Sequence, residues 1–155
     1  METQPQTEAP TPSNPAAVLD ALLAQHAACV LATAGGPISP WVLGVYFAHE
    51  GNDLYLVLEQ SGRTLANLRV DPRVAVLLSD NDATKDFVQA QGVAEILPGA
   101  DEDRVRQRIL AKLPWFATYT PIVPVRVRLS EASVTSLSRG WFPGKKLTLV
   151  SGTAA

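Results

Sequence analysis

Residues 29–60 read CVLATAGGPISPWVLGVYFAHEGNDLYLVLEQ, and this stretch contains three candidate strands in succession. The first, ACVLATAG, is almost wholly apolar, as in a strand buried on both faces. A Gly-Gly turn leads into a long second strand at 37–50, in which Pro40 and Gly44 predict a bend or a bulge. The turn EGND leads into the third strand, at 53–60. Because tight turns join antiparallel neighbours, the stretch predicts an antiparallel sheet.

The chain before this stretch predicts one helix. Asn14 is a favourable N-cap, a proline follows it at the first helical position, and apolar side chains recur at helical spacing as far as about His26. Residues 1–14 are rich in Pro, Thr and Gln and are expected to form a disordered arm. Residues 15–150 are expected to form a single domain, followed by a disordered tail at 151–155.

The chain after this stretch predicts a short helix, three more strands, a longer helix and an aromatic loop, PWFATYTPIVP. The strands are expected at 73–79, at 85–97 with a bulge at Gly92, and at 125–137. The longer helix, at 99–114, carries acids early and basic residues late, which matches the helix macrodipole. Six strands joined mostly by tight turns, with three helices, favour an antiparallel β-barrel over a βαβ fold.

Composition argues against several functional classes. A formal net charge of −2 argues against a general nucleic-acid binder or a protein that binds anionic membranes. No apolar run approaches the roughly 20 residues that span a bilayer, and the N-terminus lacks the pattern of a signal peptide. Cys29 is the single cysteine and is expected to be a buried strand residue, which favours the reducing cytoplasm. Two separated histidines, His26 and His49, give no metal-ligand cluster, so no metal site is expected.

The segment SGRTLANL is the most informative about function. Ser61 is the expected N-cap, and the first turn then holds Arg63 and Thr64 without an acid, although a helix N-terminus normally attracts acids. The hydroxyls, the close backbone approach that Gly62 permits and the planar guanidinium could together bind phosphate. An exposed arginine at a frayed helix end is the alternative, and the residues alone do not decide between them. Asn67 is expected to fix the helix rather than to contact a ligand.

The order of these elements also resembles that of a known family. A strand ending in LAT, a Gly-Pro hairpin, a strand carrying Ser-Pro and a hairpin return precede a polar, basic helix start and the segment NLRVDPRV. The later VQAQGVAEIL resembles a family strand that ends in Gly-x-Ala-Glu. In this order the elements are similar to those of the pyridoxamine 5′-phosphate oxidase-like superfamily of flavin-binding split barrels. The similarity is close over about 18–97 and loose as far as about Trp141.

The resemblance implies a mainly β fold, a six-stranded antiparallel split β-barrel of the FMN-binding type. It implies a homodimer with two cofactor sites at the subunit interface, and FMN as the cofactor. The resemblance therefore implies a cytoplasmic FMN-dependent oxidoreductase that acts on a small molecule. It does not identify a catalytic residue. Four alternatives stay open: an F420-dependent reductase, a haem-binding barrel, a barrel that stores or senses flavin, and a cofactor-free dimeric binding module.

The resemblance also implies a set of cofactor-binding residues. The family's phosphate-binding Ser-Arg-Lys aligns with Gly62, Arg63 and Thr64, so the lysine is replaced by threonine, which keeps the cofactor-free alternative open. The C-terminal segment at Trp141 resembles the part that approaches the partner's cofactor, and Lys145 or its neighbour Lys146 is a candidate for the missing charge. In the family, two strands border the isoalloxazine ring of the flavin. The matching positions in this chain are Trp41, Val42 and Leu43 on one strand and Val57 and Leu58 on the other. For both tryptophans, ordinary packing is the alternative.

Overall fold

The computed structural model describes residues 14–150. The expected disordered arm, apart from Asn14, and the expected disordered tail therefore lie outside the described residues. In chain order, the helices and strands are α1 Pro15–Gln25, β1 Ala28–Thr33, β2 Trp41–Tyr46, β3 Ala48–Glu50, β4 Asp53–Glu59, α2 Arg63–Val70, β5 Arg73–Leu78, β6 Phe87–Ile96, α3 Glu102–Lys112, β7 Ile122–Ser136 and β8 Trp141–Thr148. Short 3₁₀ turns at Gly99–Asp101 and Leu137–Arg139 precede α3 and β8.

The sheet is antiparallel and curls into a split barrel, which confirms the predicted fold class. Its strand order is β2-β1-β5-β6-β7-β4-β3, and β8 pairs with β7 outside this path. The first and last strands of the path, β2 and β3, are consecutive in the chain and are separated by Phe47 alone. One continuous segment therefore joins both ends of the path, because its first part pairs with β1 and its second part with β4.

The prediction of six strands is wrong by two. The expected strand at 37–50 is two strands, because the chain changes its pairing partner at the fully buried Phe47. Residues 138–150, for which no strand was predicted, contain β8, which pairs with the second half of β7. The bulge at Gly92 is confirmed by a register shift, and a Cβ atom there would lie 2.4 Å from a backbone oxygen of β7. Gly44, by contrast, keeps a regular register and forms no bulge.

The barrel interior is the main hydrophobic core, and α1 packs into it. Asn14 caps α1 as predicted, since its Oδ1 atom accepts a hydrogen bond of 2.8 Å from the backbone N–H of Ala17. Lys112, the last residue of α3, donates from Nζ to the Leu23 carbonyl of α1 at 3.0 Å and lies 3.8 Å from the ring centroid of Phe47. These contacts tie both helices to the point where the chain changes partner. The buried side of α1 consists of Val18, Leu19, Leu22 and Leu23.

Cys29 lies inside the barrel on β1, as predicted for a buried strand residue. Burial raises the pKa of its thiol to about 12, so the thiol stays protonated at neutral pH and is a poor nucleophile. Within residues 14–150, the helices are too short or too polar for any of them to cross a membrane.

Candidate functional site

A cleft of about 630 Å³ lies where the barrel is split, and both β2 and β4 line it. Among the described strands, β2 pairs with β1 alone. The last residues of β4, 56–59, pair with β7 alone, because β3 reaches only as far as Tyr55. Along these residues, each of the two strands therefore has one edge that pairs with no described strand. Such edges carry backbone donors and acceptors that a ligand can use.

Seven of the predicted cofactor-binding residues line this one cleft, namely Trp41, Leu43, Val57, Leu58, Ser61, Arg63 and Thr64. Val42 lies between two of them but is 58% exposed, with its side chain on the other face of β2. Gly62 lies between Ser61 and Arg63 and forms the N-cap of α2. The structure thus brings together the two strands and the helix start that the resemblance implied.

Trp141 and Lys145 lie on β8, where they pair with Ser136 and Val134 of β7. They do not line the cleft of their own chain. Both residues were expected to approach the cofactor of a partner subunit. The single chain does not test this expectation, so it stays a prediction.

The first turn of α2 has no acid and receives no side-chain cap, at the end that lines the cleft. The N-cap is Gly62 rather than the predicted Ser61, because a turn in which Gly62 N–H donates to the Glu59 carbonyl at 3.0 Å precedes the helix. A Cβ atom at position 62 would lie only 3.2 Å from that carbonyl oxygen, which explains the glycine. Thr64 is buried, at 5% exposure, whereas Arg63 is exposed.

The Arg63 guanidinium lies over Trp41, with Cζ 4.8 Å from the ring centroid. A cation–π contact at an exposed site contributes about 0.5–1 kcal/mol, which offsets the unfavourable position of a cation at a helix N-terminus. Phosphate binding uses the N–H groups in the plane of the guanidinium. Trp41 therefore holds the cation beside the uncapped N–H groups of α2.

Asn67 joins α2 to the hairpin that leads into β2, as expected for a residue that fixes the helix. Its side chain is fully buried; Nδ2 donates to Thr33 Oγ1 at 3.0 Å, and Oδ1 accepts from Ile38 N–H at 3.0 Å. Gly36, at φ +104°, packs so closely that a Cβ atom would lie 2.4 Å from the Asn67 Cα atom. Because this hairpin ends at Trp41, Asn67 fixes the helix start relative to the tryptophan.

Sequence reasoning assigned no role to the loop at 113–121, yet the loop lines the cleft through Phe116, Thr118, Tyr119 and Thr120. The signal in the sequence was a run of aromatic residues outside any periodic element. Residues 44–46 of β2 and Ile122 of β7 were missed as well.

Both histidines lie outside the cleft. His26 Nε2 is 3.2 Å from Asp80 Oδ1, and His49 Nε2 is 3.6 Å from Asp20 Oδ1. The cleft therefore offers no histidine as an axial ligand for haem.

A second cleft, of about 760 Å³, lies over β1, β5, β6, β7 and β8. Its lining is mixed: apolar residues of β1 and β5 lie beside polar and charged residues of the other strands. Of the predicted cofactor-binding residues, only Lys146, the alternative to Lys145, lines it. The polar and charged part includes Gln89, Gln91, Glu131 and Lys146, and the apolar part includes Val30, Ala32, Ala75 and Leu77.

Comparison with known proteins agrees with the fold and with the predicted superfamily. The family model of pyridoxamine 5′-phosphate oxidase matches residues 16–133. A haem-binding protein of Mycobacterium smegmatis is similar in structure, with a TM-score of 0.70 and 19% identity over 89% of this chain and 59% of that one. An FAD-binding protein of Mesorhizobium loti has a TM-score of 0.60 and 22% identity over 74% of this chain and 89% of that one. General Stress Protein 26 of Bacillus anthracis has a TM-score of 0.66 and 17% identity over 86% of this chain and 98% of that one. No curated protein matches the sequence.

Replacing Asn67 tests its role as the link between α2 and the hairpin. Asn67→Leu leaves the Thr33 hydroxyl and the Ile38 N–H without their partner, so we expect the free energy of unfolding to fall by about 2–4 kcal/mol. Urea denaturation measures the change. Gln107→Leu, an amide-to-leucine change on the exposed face of α3, is the matched control. Equal stabilities of the two variants would contradict the assignment.

Proposed function

The chain belongs to the pyridoxamine 5′-phosphate oxidase family, and on that premise we propose that it is an FMN-dependent oxidoreductase acting on a small molecule in the cytoplasm. One observation carries the proposal: a single cleft combines the uncapped start of α2, with Arg63 beside it, and mostly apolar walls with free strand edges. A phosphate group requires free N–H groups and a cation, such as the start of α2 and Arg63 offer. A flavin ring requires apolar walls and backbone groups that can form hydrogen bonds with its edge. A single buried cysteine supports the cytoplasmic location, since it provides no disulfide.

The residues of the cleft fit FMN. Arg63, Ser61, Thr64 and the first N–H groups of α2 would hold the phosphate. The apolar side chains Trp41, Leu43, Val57 and Leu58 would border the ring. When bound, FMN supplies hydride or electron transfer, while the protein binds and orients the reactants and excludes water. Because threonine stands where the family pattern has lysine, Arg63 is the one cation that the described lining residues of the same chain offer to the phosphate.

The cleft favours FMN over the other two cofactors. Among the described residues that line it, Arg63 is the one cation, whereas the longer anionic tail of F420 would require more positive charge. Haem is commonly held by an axial histidine, and both histidines lie elsewhere.

The proposed assembly is a homodimer whose interface covers the second cleft. Val30, Ala32, Ala75 and Leu77 give this surface an apolar part beside polar residues, as is common in subunit interfaces. Val42 of the neighbouring β2 adds an exposed apolar side chain. In such a dimer, the segment of Trp141 and Lys145 would approach the partner's cofactor.

Substitution of Arg63 tests the phosphate site. Arg63→Ala should raise the Kd for FMN about tenfold or more, because a hydrogen bond to a charged group contributes about 1.5–3 kcal/mol. Arg63→Lys should give an intermediate Kd, since it keeps the charge but loses the planar donors. Quenching of flavin fluorescence during titration measures the Kd. Arg69→Ala, an exposed arginine in the last turn of the same helix, is the control. An unchanged Kd in Arg63→Ala would refute the phosphate site.

Sedimentation equilibrium tests the dimer. Val42→Asp places a charge in the proposed interface at a side chain that is already exposed in the single chain, so we expect dissociation into folded monomers. Val70→Asp, at the exposed end of α2, should leave the dimer intact. A monomeric wild-type protein, or a Val42→Asp variant that is as dimeric as the control, would contradict the proposed interface.

A further inference from the structure

The loop at residues 113–121, between α3 and β7, gives the cleft an aromatic wall. Trp115 and Phe116 pack edge-on against Tyr46 of β2, with ring centroids 4.9 and 6.3 Å apart. Tyr46 and Phe116 line the cleft, and Trp115 supports them from outside it. Tyr119 also lines the cleft, but it is 94% exposed, so its ring faces are open to a ligand. An aromatic ring left in solvent at the lining of a cleft provides a stacking surface.

The residues on both sides of Tyr119 are fixed by hydrogen bonds. Arg106 of α3 donates from Nη1 to Thr118 Oγ1 at 2.8 Å. Thr120 Oγ1 donates to Glu59 Oε1, at the end of β4, at 3.0 Å. The loop is therefore anchored immediately before and after the exposed tyrosine. Because its neighbours are already held in place, this part of the loop loses little further backbone entropy when a ligand stacks on the tyrosine.

The charges along the cleft disfavour an anionic substrate near this loop. Arg63 lies at the start of α2, where the proposed cofactor phosphate binds. Glu59, the other charged side chain among the described lining residues, is held beside the loop by Thr120. An anionic group near Tyr119 would thus meet the Glu59 carboxylate. The Arg106 guanidinium that holds Thr118 is already paired with Glu102 at 2.9 Å, so it compensates little of the desolvation of such a group.

We propose that the cleft selects uncharged, planar, apolar substrates and that Tyr119 is the specificity-determining residue on which they stack. The inference rests on the proposed function, because it assigns a substrate class to the same cleft. The aromatic packing of the loop, its two anchors and the distribution of charge all support this class.

Binding of a matched pair of planar probes tests the proposal. 2-Naphthol is neutral at pH 7, whereas 2-naphthalenesulfonate has the same bicyclic ring and a permanent negative charge. Calorimetric titration of the FMN-saturated protein gives both Kd values without turnover. The variants are Tyr119→Ala, Tyr119→Leu and Tyr119→Phe, with Val70→Ala as a control on exposed apolar surface away from the cleft.

We expect 2-naphthol to bind the wild-type protein at least tenfold more tightly than the sulfonate does. Its Kd should rise about fivefold in Tyr119→Ala and Tyr119→Leu, which lose the ring, and stay within twofold in Tyr119→Phe and in the control. Loss of the anchor in Thr120→Val should weaken binding in the same direction, because the tyrosine is then less well placed.

Several outcomes would overturn the proposal: no binding of 2-naphthol, equal binding of the two probes, or a Kd that is independent of Tyr119. Complete displacement of 2-naphthol from the FMN-free protein by FMN would also overturn it, since the probe would then occupy the place of the flavin ring. A dimer that dissociates in Tyr119→Ala with unchanged probe affinity would assign the tyrosine to the interface instead. If FMN does not bind the wild-type protein, the proposed function fails, and the same titrations on the FMN-free protein still decide the role of Tyr119.

Discussion

The change of strand partner at Phe47 is the constraint on which the rest of the structure depends. One segment pairs with β1 before this residue and with β4 after it, so the sheet path closes while β2 and β4 stay apart along part of their length. The cleft between them is therefore a direct consequence of the topology. Lys112 and α1 cover the buried ring and hold this arrangement. More than half of the residues that line the cleft therefore belong to strands of the sheet.

The electrostatics of α2 give this cleft its chemistry. An acid or a capping hydroxyl would normally satisfy the first N–H groups of a helix. Here Gly62 leaves them without a side-chain cap, and Trp41 holds the Arg63 guanidinium beside them. Asn67 fixes this helix start to the hairpin before β2. The local cost of a cation at the positive end of a helix would be recovered when an anion binds, which accounts for the absence of acids in this turn.

Local patterns in the sequence were sufficient to predict most of the fold. The apolar alternation and the turn residues placed β1, β4, β5, β6 and β7 to within a few residues at most boundaries, and Gly92 marked its bulge. The break at Phe47 was missed, since a change of pairing partner within an apolar run leaves no local mark. β8 was missed because Pro143, Gly144 and the two adjacent lysines obscure any alternation.

The part of the site that could be predicted consists of residues that are neighbours in the sequence. The helix start was recognisable from the missing acid, which is a property of neighbouring residues, and the structure places it beside both predicted strands. The role of Tyr119 depends instead on long-range packing, because contacts with Tyr46, Glu59 and Arg106 hold its loop in place. A local pattern carries no information about such contacts.

A comparison of FMN with riboflavin tests the central claim, that the start of α2 binds a phosphate group. The two molecules share the ring and differ by the phosphate, so calorimetric titration of the purified protein with each isolates the contribution of that group. We expect FMN to bind at least about tenfold more tightly than riboflavin, given the strength of charged hydrogen bonds, and we expect high salt to reduce the difference. Equal affinities for the two ligands, or no binding of either, would contradict it.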